Sequence, residues 1–108
     1  MMRWTEKFAF DRGACILVDV AKEILCKYIN YTADDAERTL EKFITKYDNV
    51  DENYVHHNSA WHLATAAHCV VGLNGKLGDH IQWEVDHKLR NAPKEVNELI
   101  RKRYWEGV

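Results

Sequence analysis

The sequence contains few of the residues that interrupt regular secondary structure. Its 108 residues include one proline and five glycines, so the chain has few positions that force a turn. No apolar run reaches the length of about 18 residues that a membrane span needs, and the start, MMRWTEKFAF, lacks the apolar core of a secretory signal. These absences predict long regular elements, no membrane-spanning helix and a cytoplasmic location.

Cysteine is scarce as well. The three cysteines are an odd number, and Cys15 and Cys26 fall on one predicted helix. The rise of a helix places residues eleven positions apart at roughly 16 Å, whereas a disulfide needs Cα atoms within about 7 Å. The cysteine content therefore agrees with a reducing, cytoplasmic environment.

Neither acidic nor basic residues dominate the sequence, but the two kinds are unevenly distributed along it. The formal net charge is −2. Residues 32–52 hold seven acids and three bases, whereas residues 88–103 hold six bases and two acids. Such a two-ended distribution steers association, so it favours binding to a charged partner or to a second copy of the chain.

The pattern that is present is helical. Apolar residues recur three and four positions apart, which is the spacing of one face of an α-helix. Asp11 and Thr32 are suited to cap the first two helices. The predicted helices cover about 12–31, 32–47, 51–73, 79–90 and 93–105, with a short helix at about 5–10 before them.

We therefore predict an all-α fold in which residues 1–108 form a single helical domain. It is a compact bundle of about five helices around a central third helix, at about 51–73, because apolar residues occupy the whole circumference of that segment. The sides predicted to face the core are Ala36, Leu40, Phe43, Ile44 and Tyr47 in the second helix and Ile81, Val85 and Leu89 in the fourth.

The six histidines and their spacing indicate a candidate metal site. His80, Glu84 and His87 share one face of the fourth helix, and His68 of the third helix is a further ligand that the bundle could bring to them. Such a set suits zinc. Iron is the alternative, because Glu84-x-x-His87 has the spacing of a di-iron bundle motif, although the chain lacks the second copy that such sites need. His62 points to another side of the third helix and is left out of this set.

Surplus aromatic residues support a different interpretation. Four tryptophans occur in the chain; Trp83 lies off the apolar stripe of its helix, and Trp105 lies near the end of the sequence. Exposed tryptophan is enriched at binding hot spots. The leading hypothesis is therefore a small, non-enzymatic protein without a cofactor, of the inhibitor, immunity or adaptor type. It would bind another protein through Trp83 and Trp105, with Arg101, Lys102 and Arg103 as a charged rim.

Two alternatives stay open beside this hypothesis. The first is a metal-binding or hydrolytic protein that uses the His/Glu face of the third and fourth helices. The second is a nucleic-acid-binding protein, because Arg101, Lys102 and Arg103 precede two aromatic residues that could stack on bases. A purely structural explanation of the histidines is that they make ordinary hydrogen bonds at the edge of the core. Formation of a homodimer is compatible with each of these hypotheses.

Overall fold

The regular structure is entirely helical. The computed structural model of the protein describes residues 4–47 and 49–105, with every side chain in these ranges except those of Glu6 and Trp105. This part of the chain has no strand. Its five α-helices are α1 (Arg12–Tyr28), α2 (Ala33–Lys46), α3 (Glu52–Ala67), α4 (Asp79–Asp86) and α5 (Lys94–Ile100), and a 3₁₀ helix, Trp4–Phe8, precedes them. The predicted all-α bundle of about five helices is confirmed.

Side-chain caps fix where the first three helices begin. Asp11, Thr32 and Asp51 each accept a hydrogen bond from the backbone amide three residues later. Each of these bonds satisfies one of the amides that the first turn of a helix leaves without a partner. The predicted caps at Asp11 and Thr32 are confirmed.

Helices α1 and α3 form the centre of the bundle. Helix α1 packs against α2, α3 and α5, while α3 packs against α1, α2 and α4. The largest fully buried apolar side chains come from α1, α2 and α3: Trp61, Phe43, Ile24, Leu25, Leu40 and Leu63. The predicted central position of the third helix is confirmed, and α1 shares it. No helix in the described residues is long and apolar enough to cross a membrane.

Helix α3 is kinked and does not form a straight rod. Ser59 has φ 65° and ψ 165°, a backbone conformation far from that of a right-handed helix. After Ala67 the helix widens into a π-helical turn, His68–Gly72. Helix α3 and this π-helical turn together match the predicted third helix at about 51–73, but the kink was not predicted. It separates the first part of α3 from the part that carries His62 and Thr65.

Candidate functional site at the inner face of α4

Helix α4 packs with its polar side inward. Glu84 is 0% exposed and His80 is 8% exposed, whereas Ile81 and Val85 are each 50% exposed. The prediction that Ile81, Val85 and Leu89 face the core is therefore wrong for the first two, and Leu89 is only partly buried. The physical reason lies in the hydrogen bonds that the inner face of α4 makes.

Glu84 is the centre of these hydrogen bonds. Its Oε2 accepts a bond from Thr65 Oγ1 at 2.6 Å and lies 2.7 Å from His62 Nδ1. Its Oε1 accepts a bond from Arg90 Nη1 at 2.8 Å. Removing a carboxylate from water costs several kcal/mol unless it is paired and hydrogen-bonded. The three partners meet that condition, so Glu84 holds α4 against α3.

The segments on both sides of α4 fix its orientation. Before the helix, the Gly75 amide donates to the Cys69 carbonyl at 2.8 Å. A Cβ at Gly75 would lie 2.9 Å from that oxygen, so the approach needs glycine. After the helix, the Leu89 amide donates to the Glu84 carbonyl at 2.7 Å, and Trp61 Nε1 donates to the Leu89 carbonyl at 3.0 Å. These contacts hold both ends of α4 in place, and the hydrogen bonds of Glu84 add to them.

His80 contributes a buried nitrogen without a partner. Its Nδ1 is buried and has no hydrogen-bond partner among the described residues. Burial lowers the pKa of His80; the Glu84 carboxylate opposes this shift, while His62 and Arg90 add to it. A neutral imidazole is the form that binds a metal. A buried polar atom left unpaired costs about 1–3 kcal/mol, so a ligand at this position would be favoured.

His62, His80 and Glu84 form a cluster that fits a metal ion. Each offers one ligand atom, and these atoms lie within 4.8 Å of one another. Zinc holds nitrogen and oxygen ligands at about 2.0–2.2 Å, so neighbouring ligand atoms in a tetrahedron are about 3.4 Å apart. The 2.7 Å contact between His62 Nδ1 and Glu84 Oε2 must therefore lengthen. The His62 ring is partly exposed, whereas Glu84 is fully buried, so His62 is the partner with space to move.

No known protein family, curated protein or solved structure matches this chain. The choice of metal is therefore indicated by the donor atoms. Two imidazoles and one carboxylate form a mixed nitrogen and oxygen set, which suits zinc and also iron(II). Magnesium and calcium prefer sites made of oxygen ligands. Three protein ligands with a fourth position open are the arrangement of catalytic zinc sites.

Two of the four predicted metal ligands belong to this cluster, and two lie beside it. His80 and Glu84 are in the cluster. His68 and His87 contact Trp83 instead, with ring centroids 5.5 Å and 4.3 Å from the Trp83 ring. His87 stacks on the indole, while His68 meets it edge-on. Both imidazoles therefore pack on Trp83, outside the group of possible ligands.

His68 also contacts a second aromatic residue, Tyr31, and the α3 histidine that lies in the cluster is His62. Tyr31 Oη and His68 Nδ1 are hydrogen-bonded at 2.7 Å. Burial lowers the pKa of His68, and a neighbouring histidine lowers it further. A helical wheel puts His62 and His68 on different sides of α3, and it does not indicate which side meets α4. The sequence feature that could have indicated a polar contact here is the pair His62 and Thr65, which lie one turn apart in an apolar segment.

The residues predicted to form a partner-binding surface lie on different elements. Trp83 belongs to α4, is partly buried and is covered by the two histidines described above. The basic residues belong to a π-helical turn, Arg101–Trp105, that packs against α1 and α5. The backbone of Trp105 lies in this turn, but its side chain lies outside the described residues. One continuous surface made of Trp83 and this turn therefore remains a prediction.

Arg103 is occupied by contacts within the protein. Its guanidinium donates to Asp19 at 2.8 Å and to Glu23 at 2.7 Å. These bonds tie the C-terminal turn to α1. Arg101 and Lys102 are exposed. The basic surface that the sequence predicted is thus reduced by one of its three charges.

A groove between α1 and α5 is a second concave feature. It encloses about 560 Å³ and is lined by the apolar groups of Ile24, Tyr28 and Leu99. Its rim carries charges of both signs, from lysines and glutamates of the two helices. None of these charged side chains is fully buried. Ligand sites usually combine apolar walls with a few fixed polar groups, so this groove indicates no particular ligand chemistry.

Proposed function

We propose that this protein binds one zinc ion through His62, His80 and Glu84, and that the open fourth position of the ion activates a water molecule for hydrolysis. The proposal is carried by one observation. A fully buried glutamate and a buried histidine with an unpaired nitrogen converge on a third residue that can ligate a metal.

The surroundings of Glu84 support this proposal. Thr65 donates to Oε2 and Arg90 to Oε1. Groups that hydrogen-bond to a ligand orient it, and their loss typically weakens metal binding by about 10–100-fold. Arg90 also balances the charge of the carboxylate while no metal is bound. The cluster thus has both a set of ligands and a second shell that positions them.

Chemistry at the open position follows from the number of protein ligands. Zinc with three protein ligands lowers the pKa of its bound water to about 7, which produces a hydroxide nucleophile at neutral pH. His62 is partly exposed, so the metal would be reached from the solvent side of this ring. Iron(II), the alternative metal, would occupy the same three ligands.

Metal binding is tested on protein without a histidine tag, by calorimetric titration with zinc and by the visible spectrum of cobalt as a zinc substitute. We expect one ion per chain. His62→Ala and His80→Ala should each weaken zinc binding by more than about 100-fold, since loss of a ligand exceeds the second-shell effect. His87→Ala is the matched control from α4 and should bind zinc like the wild type.

The control also separates the two candidate ligand sets. Loss of stoichiometric zinc in His87→Ala or His68→Ala, with His62→Ala unaffected, would support the set predicted from the sequence and contradict the cluster. Absence of zinc and iron binding in the wild type would contradict the proposal altogether. Circular dichroism of each variant checks that the helices are retained.

A second candidate function is binding of another protein, without catalysis, through the outer face of α4. The observation that favours it is the exposure of Ile81 and Val85, which lie one turn apart on a helix that could have buried them. Exposed apolar patches mark interaction sites. This face replaces Trp83 as the apolar anchor of the predicted protein-binding role, and an inhibitor or adaptor function fits it equally well.

The double variant Ile81→Lys/Val85→Lys tests this second function. Sedimentation of the wild-type protein first shows whether the partner is a second copy of the chain. If the protein is monomeric, partners retained from host cells by the wild type should be lost by the double variant and kept by Leu73→Lys, a control at another exposed apolar residue. Identical partners for all three proteins would rule out this face.

A further inference from the structure

We infer that the substrate of this site carries an oxyanion, which is held jointly by the bound metal and the guanidinium of Arg90. The inference rests on the proposed metal site and adds the chemical class of its ligand. Phosphate and carboxylate groups share this chemistry, because each presents two oxygens that match the paired N–H groups of arginine.

The position of Arg90 is set by the backbone around it. Lys88 adopts a left-handed conformation, with φ 58°, which turns the chain back at the end of α4. The Leu89 amide then bonds to the Glu84 carbonyl, and the indole of Trp61 bonds to the Leu89 carbonyl. Arg90 therefore starts from a fixed point beside the cluster, and a fixed starting point lowers the entropy cost of holding a ligand.

Most of the hydrogen-bonding capacity of Arg90 is unused. A guanidinium has five N–H donors, and among the described residues its one hydrogen-bond partner is Glu84, through Nη1. Half of the side chain is exposed to solvent. Nη1 lies 2.8 Å from a carboxylate that would ligate the metal, so the guanidinium that carries the remaining donors is held beside the cluster.

The charges of the occupied site favour an anion. Glu84 is the only carboxylate paired with Arg90 in the described part of the chain, and the nearby Asp86 is bonded to Gln82. A divalent ion and a guanidinium together carry more positive charge than this single carboxylate neutralises. The burial of Glu84 and His80 keeps screening by water low on the protein side. A negatively charged group is therefore the complementary ligand.

The other arginines in contact with carboxylates do not share this arrangement. Arg103 uses two nitrogens on Asp19 and Glu23, and Arg38 pairs with Asp35 on the exposed side of α2. Neither pair adjoins a group of possible metal ligands in the described residues. Arg90 is the arginine whose partner is itself a metal ligand, and this makes its free donors relevant to a substrate.

The test uses full-length protein loaded with cobalt, whose visible spectrum reports a change in coordination. Inorganic phosphate and acetate are titrated separately, so that the two sources of an oxyanion are distinguished. We expect a saturable spectral change with at least one of them. Arg90→Gln should raise the dissociation constant of that anion by about tenfold or more, Arg90→Lys by less, and Arg101→Gln, an exposed control, not at all.

The outcomes separate this inference from the metal site. A wild-type protein that takes up no cobalt overturns both. Normal cobalt binding with no anion effect, or with equal anion affinity in wild type and Arg90→Gln, overturns the oxyanion alone. If Arg90→Gln disturbs folding, its cobalt spectrum without anion will differ from that of the wild type. The Arg90→Lys variant is then used instead. An anion affinity of Arg90→Lys equal to that of the wild type would contradict the bidentate contact.

Discussion

Helices α2 and α4 are both amphipathic, yet they turn opposite sides toward the core. Helix α2 buries Leu40 and Phe43 and exposes most of its charged residues, as its pattern predicts. Helix α4 buries Glu84 and leaves Ile81 and Val85 half exposed. An apolar stripe therefore determines which side of a helix packs against the core only where the opposite side has no stronger contacts to make.

The free energies involved show why α4 can turn the other way. Fully burying an isoleucine or valine contributes about 1.5–3 kcal/mol, so half-exposing two of them gives up roughly 2 kcal/mol. Hydrogen bonds to a charged group contribute about 1.5–3 kcal/mol each, and Glu84 makes three. These values already include the loss of water around the bonded groups. The three contacts of Glu84 therefore outweigh the half-exposure of Ile81 and Val85.

The largest expected effect tests the apolar side of this comparison. Phe43→Ala in α2 removes a fully buried aromatic ring and should lower the free energy of unfolding by about 3–5 kcal/mol. Ile81→Ala in α4 should lower it by about 1 kcal/mol or less, because half of that side chain is already exposed. Urea unfolding of both variants measures the difference. A loss of 2 kcal/mol or more in Ile81→Ala would mean that α4 faces the core in the way that its pattern predicts.

The polar side of the comparison is tested at Glu84. Glu84→Ala leaves Arg90, His62 and Thr65 without their common partner and should cost about 3 kcal/mol in metal-free protein, as breaking a buried ion pair does. Glu37→Ala in α2 breaks a partly exposed pair with Lys22 and should cost less than about 1 kcal/mol. Equal losses in the two variants would show that burial of Glu84 adds nothing to its contacts.

Sequence patterns were sufficient for the fold and insufficient for the site. The helical spacing, the caps at Asp11 and Thr32 and the central third helix are local or depend on apolar burial, and all are confirmed. The inner face of α4 was assigned wrongly because it depends on partners in α3 and in the following loop. Arg90 in particular reaches Glu84 through a turn at Lys88, which no periodicity indicates.

The histidines that lie beside Glu84 differ from the predicted set for a related reason. His68 and His62 are six residues apart, and a straight helix gives no cause to prefer one of them as a partner of α4. The structure occupies His68 with Tyr31 and Trp83 and leaves His62 next to Glu84. The contacts of His68 depend on aromatic packing between elements, which arises only once the helices are assembled.

The kink at Ser59 belongs to the α4 side of the comparison, since it precedes the residues that reach Glu84. A residue other than glycine with φ 65° and ψ 165° carries strain of about 1–3 kcal/mol. Ser59→Gly relieves the strain but gives the unfolded chain more freedom, so we expect a net gain in stability of about 1 kcal/mol by thermal unfolding. Ser59→Ala keeps the strain and should show no gain. A loss of stability in Ser59→Gly would indicate a regular helix at this position.

The smallest effect is a pH dependence between pH 7 and 5, the range in which histidine titrates, and α2 contains no histidine. Burial lowers the pKa of His68, so below the ordinary histidine value of about 6.5 the unfolded chain binds a proton that the folded chain resists. Stability that is present at neutral pH is therefore lost as the pH falls through this range. His68→Gln should flatten the decline in urea midpoint from pH 7 to 5, in part only, because burial lowers the pKa of His80 as well. Tyr31→Phe removes the hydrogen bond of His68 but keeps the imidazole, so this control should retain most of the decline in urea midpoint. An unchanged decline in His68→Gln would show that this histidine titrates alike in the folded and unfolded chain.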